Sequence, residues 1–261
     1  MAKITLGAFV LAISFAAVLT VEPDMRIVGG REVDITKYPF LVSLRYRTTP
    51  DSSYIHKCAG AIYSDRVVIT AAQCLMDIGP DEKLMVVAGA NSRLGLDGML
   101  YPVSKWISHA SFSTWTVDYD IGLVIIDDKF DFKHLKLSPI SIAESRPLHG
   151  KLTSVAGWGY REEFGPSSPH LEEVEVPIVN NEQCTQHHGQ GEITERMICA
   201  GYASGGKDSC FGDTGGPLVY KGELVGLVSW GRGCARPNFP SVYTYVASLK
   251  KWIDDTIAAN M

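Results

Sequence analysis

Lys207-Asp208-Ser209-Cys210-Phe211-Gly212-Asp213-Thr214-Gly215-Gly216-Pro217 gathers three glycines around one hydroxyl side chain, with an acid and a cysteine beside it. Gly212, Gly215 and Gly216 let the backbone turn tightly and approach a bound group closely. A hydroxyl on such a turn is exposed, and neighbouring backbone N–H groups can point at one spot. That arrangement suits acyl transfer, which needs a nucleophile beside an oxyanion hole. The hydroxyl here belongs to Thr214.

Outward from this stretch the chain reads as short apolar runs broken by Gly, Pro, Asp and Ser. They include Phe40–Leu44, Ala61–Tyr63, Val67–Thr70, Leu84–Val87, Ile121–Ile126, Leu152–Ala156, Leu171–Val179 and Leu224–Ser229. Several are rich in Val and Ile, which predicts an all-β sandwich or barrel. The exception is the C-terminus, where Leu249, Trp252, Ile253 and Ile257 recur at helical spacing within Val246–Ala259.

At the other end, Met1-Ala2-Lys3 precedes an apolar run from Ile4 to Leu19. One positive charge, a short apolar core and small residues predict a secretory signal peptide over 1–20. The run is short for a membrane span, and no basic cluster follows it. Residues 21–26 then form a short polar processing segment. An apolar content of 46% with 20% charged residues supports a packed core, and a net charge of −5 without any basic run argues against nucleic-acid or anionic-membrane partners. Six cysteines in an exported chain predict disulfides, with the pairing left open by composition.

The Lys207–Pro217 stretch closely resembles the active-site segment of trypsin-like serine proteases of the chymotrypsin fold, in which the hydroxyl is a serine. The resemblance runs from Ile27 to the C-terminus. It implies two six-stranded antiparallel β-barrels with a C-terminal α-helix, a peptidase domain over 27–261 and a junction of the halves near 135–145. It also implies the bridges Cys58–Cys74, Cys184–Cys199 and Cys210–Cys234. Arg26 before Ile27-Val28-Gly29-Gly30 resembles the family's activation site, and the implied partner of the freed Ile27 ammonium is Asp213. Gly159-Tyr160-Arg161-Glu162-Glu163 and Gly205-Gly206-Lys207-Asp208-Ser209-Cys210 are similar in texture to mite group 3 allergen-type trypsins and to scabies mite inactivated protease paralogues.

The same resemblance lays out the catalytic positions. Asp120 in Asp118-Tyr119-Asp120-Ile121 matches the orienting acid, and Ser229 in Ser229-Trp230-Gly231 matches the serine that sits against it. The oxyanion hole would be the N–H groups of Gly212 and Thr214. The base position departs from the family: Thr-Ala-Ala-His-Cys reads Thr70-Ala71-Ala72-Gln73-Cys74. The Gln73 amide can donate to Asp120 and its carbonyl can accept from Thr214, but an amide cannot take a proton at neutral pH. Thr214 adds a methyl group that restricts χ1 and crowds the scissile carbonyl. In the substrate pocket, Asp208 matches the residue that selects Lys or Arg, and Gly231 and Gly233 match the open entrance. Ser241 replaces a glycine there and is expected to narrow the pocket. The histidines, His56 and His188 included, read as structural or solvated, and no ligand spacing for a metal is present.

These readings predict a secreted, catalytically inactive homologue, not an enzyme, that acts by binding proteins. The resemblance implies host defence proteins such as complement components as partners, engaged through the distinctive loops Arg45–Lys57, Met76–Lys83, Arg161–His170 and Thr185–Glu195. No cofactor is expected. Two alternatives stand beside it: a weakly active trypsin-like endopeptidase cleaving after Lys or Arg, using the oxyanion hole and positioning alone, and a decoy for protease inhibitors, against which Ser241 counts.

Overall fold

The structure is a computed structural model that describes residues 27–49, 51–76, 78–79, 81–95, 97–133 and 136–261. The signal peptide, the processing segment with Arg26, and Leu135 at the start of the expected junction lie outside the described residues.

The first barrel is built from β2 (Leu41–Arg47), β3 (Ile55–Ile62), β4 (Val67–Thr70), β5 (Lys83–Ala88), β6 (Met99–Ser108) and β7 (Gly122–Ile126), after a two-residue β1 (Arg31–Glu32). Its strands close in the order β2-β3-β4-β7-β6-β5, all antiparallel. The second uses β8 (Leu152–Gly157), β9 (Glu172–Val179), β10 (Met197–Ala200), β11 (Pro217–Tyr220), β12 (Glu223–Trp230) and β13 (Ser241–Tyr245). It closes because β8 pairs with both β9 and β11, while β1 adds to the outside of β9. The expected pair of six-stranded barrels is therefore what the chain forms.

The apolar runs become strands because their side chains face a barrel interior. All residues of β4 and β7 are buried, and continuous Val and Ile runs give no face to water. The strand β6 has no such run: most of its residues are exposed or half-buried, and its place is set by pairing with β5 and β7. Between the barrels, Ser138 and Ile140 donate to Pro39 and Ile62 of the first half, and Ala143 donates to Leu224 of the second. The helical spacing at the C-terminus resolves into a tight 3-10 turn, Val246–Leu249, then α2 (Lys250–Asn260). Leu249 and Ile253 are buried in a core shared with the first barrel, so this helix ties the two halves together. The other helix, α1 (Asn181–His188), is capped by Asn180, whose side chain accepts from Gln183 N–H.

The three disulfides are Cys58–Cys74, Cys184–Cys199 and Cys210–Cys234, with no free cysteine among the described residues. The first anchors the turn carrying Gln73. The third joins the Thr214 loop to the loop lining the pocket. Two of the distinctive loops are shorter than expected. Arg45–Arg47 lies in β2 and Ile55–Lys57 in β3, while Thr185–His188 is the end of α1. Antiparallel pairing with β3 and β5 carries β2 through Arg47.

Glu173 at the base of β9 is buried, and its carboxylate accepts from Arg31 Nε (2.7 Å), Lys37 Nζ (2.5 Å) and Tyr38 OH (2.6 Å). Burial alone raises this carboxyl, but the bonds from Lys37, Tyr38 and Arg31 outweigh it and hold it below the ordinary glutamate range. Its contribution to stability is therefore present above that range and lost as pH falls through it. We expect Glu173→Ala to cost about 2 kcal/mol at pH 7, because Tyr38 loses its buried partner. Denaturant titrations at pH 7 and at pH 3.5 check this: the gap between wild type and variant shrinks in acid. An unchanged gap would mean that lost packing, not charge, sets the cost.

Candidate active site

Gln73 sits on the 3-10 turn Ala72–Leu75 that follows β4. Its backbone N–H donates to Asp120 Oδ1 at 3.0 Å, and its side-chain Nε2 donates to Asp120 Oδ2 at 2.5 Å and to the Ser229 carbonyl at 2.9 Å. Ser229 Oγ donates to Asp120 Oδ2 at 2.6 Å. Asp120 is fully buried. Burial raises its carboxyl, and the Ser229 and Gln73 donors only partly offset this. Both amide protons of Gln73 are thus committed to Asp120 and Ser229. No hydrogen bond joins Gln73 to Thr214 among the described residues, so the amide orients on the acid and leaves the hydroxyl free.

The loop delivering Asp120 is strained. Val117 and Tyr119 both occupy the left-handed region, at φ 51° and 56°. A β-branched residue there is a genuine outlier that its surroundings must hold. The holding group is Arg196, whose Nη2 lies 2.6 Å from Asp118 Oδ2 and whose guanidinium stacks over Tyr119.

Thr214 lies on the loop between Cys210 and β11, half-buried, its carbonyl accepting from Ala59 N–H at 2.8 Å. Gly212 adopts φ 95° and Gly215 φ 78°, conformations that need glycine. At Gly215 a Cβ would also strike Thr70 Oγ1 at 2.2 Å. No group among the described residues engages the N–H of Gly212 or of Thr214. The Gly212 carbonyl is held from behind: His56 Nε2 donates to it at 2.8 Å, and His56 Nδ1 accepts from Ser43 Oγ at 2.7 Å. Burial drives the His56 imidazole down to about 3, against a smaller upward pull from the Gly212 bond, so the ring is neutral. Ser43 escaped the sequence reading because only the β2–β3 pairing brings it to His56.

A pocket of about 220 Å³ opens beside Thr214, walled by Gln73, Phe211, Ser229, Trp230, Gly231 and Ser241. Asp208 is not part of this wall. It is buried behind it, with Oδ2 accepting from Ala235 N–H at 2.8 Å and Oδ1 without a hydrogen-bond partner. Burial pushes its carboxyl up to about 6, with the Ala235 N–H and the nearby Ser241 hydroxyl drawing it back. Ser241 Oγ stands where it would lie 3.4 Å from a Cβ on Gly231. At Gly233, which lines the pocket, a Cβ would collide with the ion pair between Arg236 and Glu163.

The expected Ile27–Asp213 pair belongs to the ammonium that cleavage after Arg26 would free. Ile27 is fully buried and its main-chain N–H donates to Glu172 Oε2. Asp213 instead accepts from Gly159 N–H at 2.8 Å and Cys210 N–H at 3.0 Å. The physical reason is charge: in the uncut chain the Ile27 nitrogen is a neutral peptide N–H and brings nothing to neutralise Asp213. Burial raises the Asp213 carboxyl to about 7. Glu172 was not expected at this site. The signal was two adjacent acids inside an apolar run, which a strand cannot both turn to water.

The family model described as Trypsin matches residues 27–253. Trypsin eta of Drosophila erecta is 43% identical, over 90% of this chain and 91% of that protein. Trypsin zeta of Drosophila melanogaster is 40% identical, over 90% and 87%. The vitellin-degrading protease of Bombyx mori is 40% identical, over 90% and 86%. These similarities show the trypsin family, not the narrower mite group. They also correct the expectation that the chain is not an enzyme, since relatives matched over nearly their whole length carry the names of peptidases. The error lay in passing from two altered side chains to no activity at all. The Asp120–Ser229 pair, the Gly212–Thr214 loop braced by His56, and the buried Asp208 are all retained, and Gln73 itself donates to Asp120. Its fold, its site and its relatives agree: this chain belongs to the trypsin-like family of serine proteases.

Proposed function

We propose that this protein is a secreted trypsin-like endopeptidase of low turnover that cleaves after Lys or Arg. The observation that carries the reading is that Thr214 borders a pocket, that no group among the described residues engages its N–H or that of Gly212 in the same loop, and that buried Asp208 keeps an oxygen without a hydrogen-bond partner. Thr214 Oγ1 is the nucleophile, and the two N–H groups receive the oxyanion. Asp208 draws the cationic side chain of the substrate. His56 and Ser43 hold the Gly212 peptide in place. Gln73 cannot accept the hydroxyl proton, so that proton passes to water or hydroxide, and the rate is low. Three disulfides fit an exported protein, and no helix among the described residues is long and apolar enough to cross a membrane.

The missing base makes a kinetic signature. A histidine base gives a plateau above its pKa, whereas transfer to hydroxide gives a rate that climbs about tenfold per pH unit. We expect hydrolysis of arginyl amide substrates to rise in this way between pH 7 and 9, and to be lost in both Thr214→Ala and Asp208→Ser. Steady-state assays of the cleaved, purified protein check it. Product no faster than the uncatalysed rate at pH 9, or hydrolysis indifferent to Thr214→Ala, would refute the proposal.

A further inference from the structure

Residues 91–95, which follow β5, meet residues 161–170, which precede β9. A bridge pairs Ser92 with His170, and the Arg93 N–H donates to the Pro169 carbonyl at 2.8 Å. A pocket of about 400 Å³ opens between the two segments, with Arg93, Leu94, Ser167, Pro169 and His170 among its walls. It shares no residue with the pocket beside Thr214.

The charge balance at this pocket is open. No acid lines it. Of the Arg93 guanidinium only Nη2 is engaged among the described residues, donating to the His56 carbonyl at 3.2 Å, while Nε is buried with no hydrogen-bond partner. Burial lowers the Arg93 pKa, only Tyr160 pulls the other way, and no carboxylate pairs with Arg93 among the described residues. A second guanidinium, Arg45, is buried and donates through Nη1 to the Gly95 carbonyl at 2.9 Å and through Nη2 to the Ser92 carbonyl at 3.0 Å. The acid of this segment, Asp97, is already committed. Its Oδ2 accepts from the N–H groups of Asn91 and Ser92, and its charge offsets that of Arg45, which Arg93 opposes. Two neighbouring guanidiniums are thus answered by one carboxylate.

A partly desolvated cation without a partner costs free energy that a bound anion recovers, and hydrogen bonds between ionised groups are the strong ones. The other segment brings free polar groups, since no hydrogen bond among the described residues engages the Ser167 hydroxyl or the His170 ring. A planar carboxylate meets donors best in its own plane, whereas donors arriving from two chain segments suit oxygens that point in several directions. We propose that this pocket binds a phosphate or sulfate group, with the Arg93 guanidinium on its oxygens, Ser167 and His170 as further donors, and Leu94 and Pro169 against the body that carries it.

Calorimetric titration of the full chain at pH 8 and low ionic strength, with phenyl phosphate, phenyl sulfate, inorganic phosphate and benzoate, tests this. We expect saturable binding of both aryl esters with a Kd of about 1 mM, and of benzoate about tenfold weaker. Weaker binding of inorganic phosphate than of phenyl phosphate would assign the oxyanion to an ester with an apolar body, and equal binding to the free ion; both support the site. Arg93→Gln should weaken ester binding about tenfold, and Arg93→Lys, which keeps the charge without the fork, about threefold. Because Arg93 also holds the His56 carbonyl, Ser167→Asp gives a second test that leaves it in place. Its carboxylate should pair with Arg93, abolish ester binding and raise the denaturation midpoint. Unchanged affinity in folded Arg93→Gln, benzoate bound as tightly as phenyl sulfate, or ester binding retained in Ser167→Asp would overturn the proposal.

Discussion

Restoring histidine at 73 and serine at 214 together is expected to raise kcat/KM on an arginyl substrate by on the order of 10⁴-fold, while either change alone stays within about tenfold of the starting protein. The reason lies in the roles. Gln73 already occupies the place between Asp120 and the pocket, with Nε2 2.5 Å from Asp120 Oδ2. An imidazole there would give its Nδ1–H to Asp120 and turn Nε2 toward residue 214. Without that base a serine remains a weak alcohol. With the base but with Thr214 retained, the extra methyl holds the hydroxyl in a restricted rotamer and crowds the carbonyl. The two defects act on one proton transfer, so their repair is cooperative. Steady-state kinetics of the four proteins, with covalent labelling by a serine-directed phosphonate, measures this. Recovery of most activity by a single reversion would show that the two positions are independent.

Ser241→Gly is expected to tighten binding of benzamidine, a small cationic probe, by roughly 10- to 100-fold, or about 1.4–2.7 kcal/mol. Ser241 lines the pocket and its hydroxyl neighbours buried Asp208, whose Oδ1 has no hydrogen-bond partner. Removing the hydroxymethyl group lets an amidinium reach that oxygen and make a charge-assisted pair in a dry site. The pH dependence follows from the Asp208 carboxyl, raised by burial to about 6. Above that pH it is ionised and attracts the cation; below it the acid is neutral and affinity falls. The affinity gain of Ser241→Gly is therefore full at pH 8 and reduced at pH 5. Calorimetric titrations at both values, with Asp208→Asn as a control, provide the measurement. Equal affinities in wild type and Ser241→Gly, or a gain that survives Asp208→Asn, would show that Ser241 does not screen the acid.

What the sequence determined by itself is local or carried by motif. The Val67–Thr70 run is a strand with the same bounds in the structure, since three consecutive apolar residues have nowhere to go but a barrel interior and Thr70 gives its hydroxyl to the Ala59 carbonyl. The all-β class and the C-terminal helix were legible because each rests on residue types whose periodicity survives any arrangement of the rest, whereas the cysteine pairs came from the family resemblance alone. The substitutions Gln73 and Thr214 were equally plain, but their consequence was read too strongly, because a side chain at one position does not reveal what backbone and distant residues still supply. Tertiary structure alone decided the remainder. The strand β6 exists because β5 and β7 offer it hydrogen bonds, not because its own side chains seek a core. Ser43 meets His56 only through cross-strand register, β13 brings Ser241 both to the pocket wall and to buried Asp208, and Ile27 faces Glu172 across 145 positions of sequence. A buried charge finds its partner by closure of the whole chain, and no local pattern encodes which carboxylate that will be.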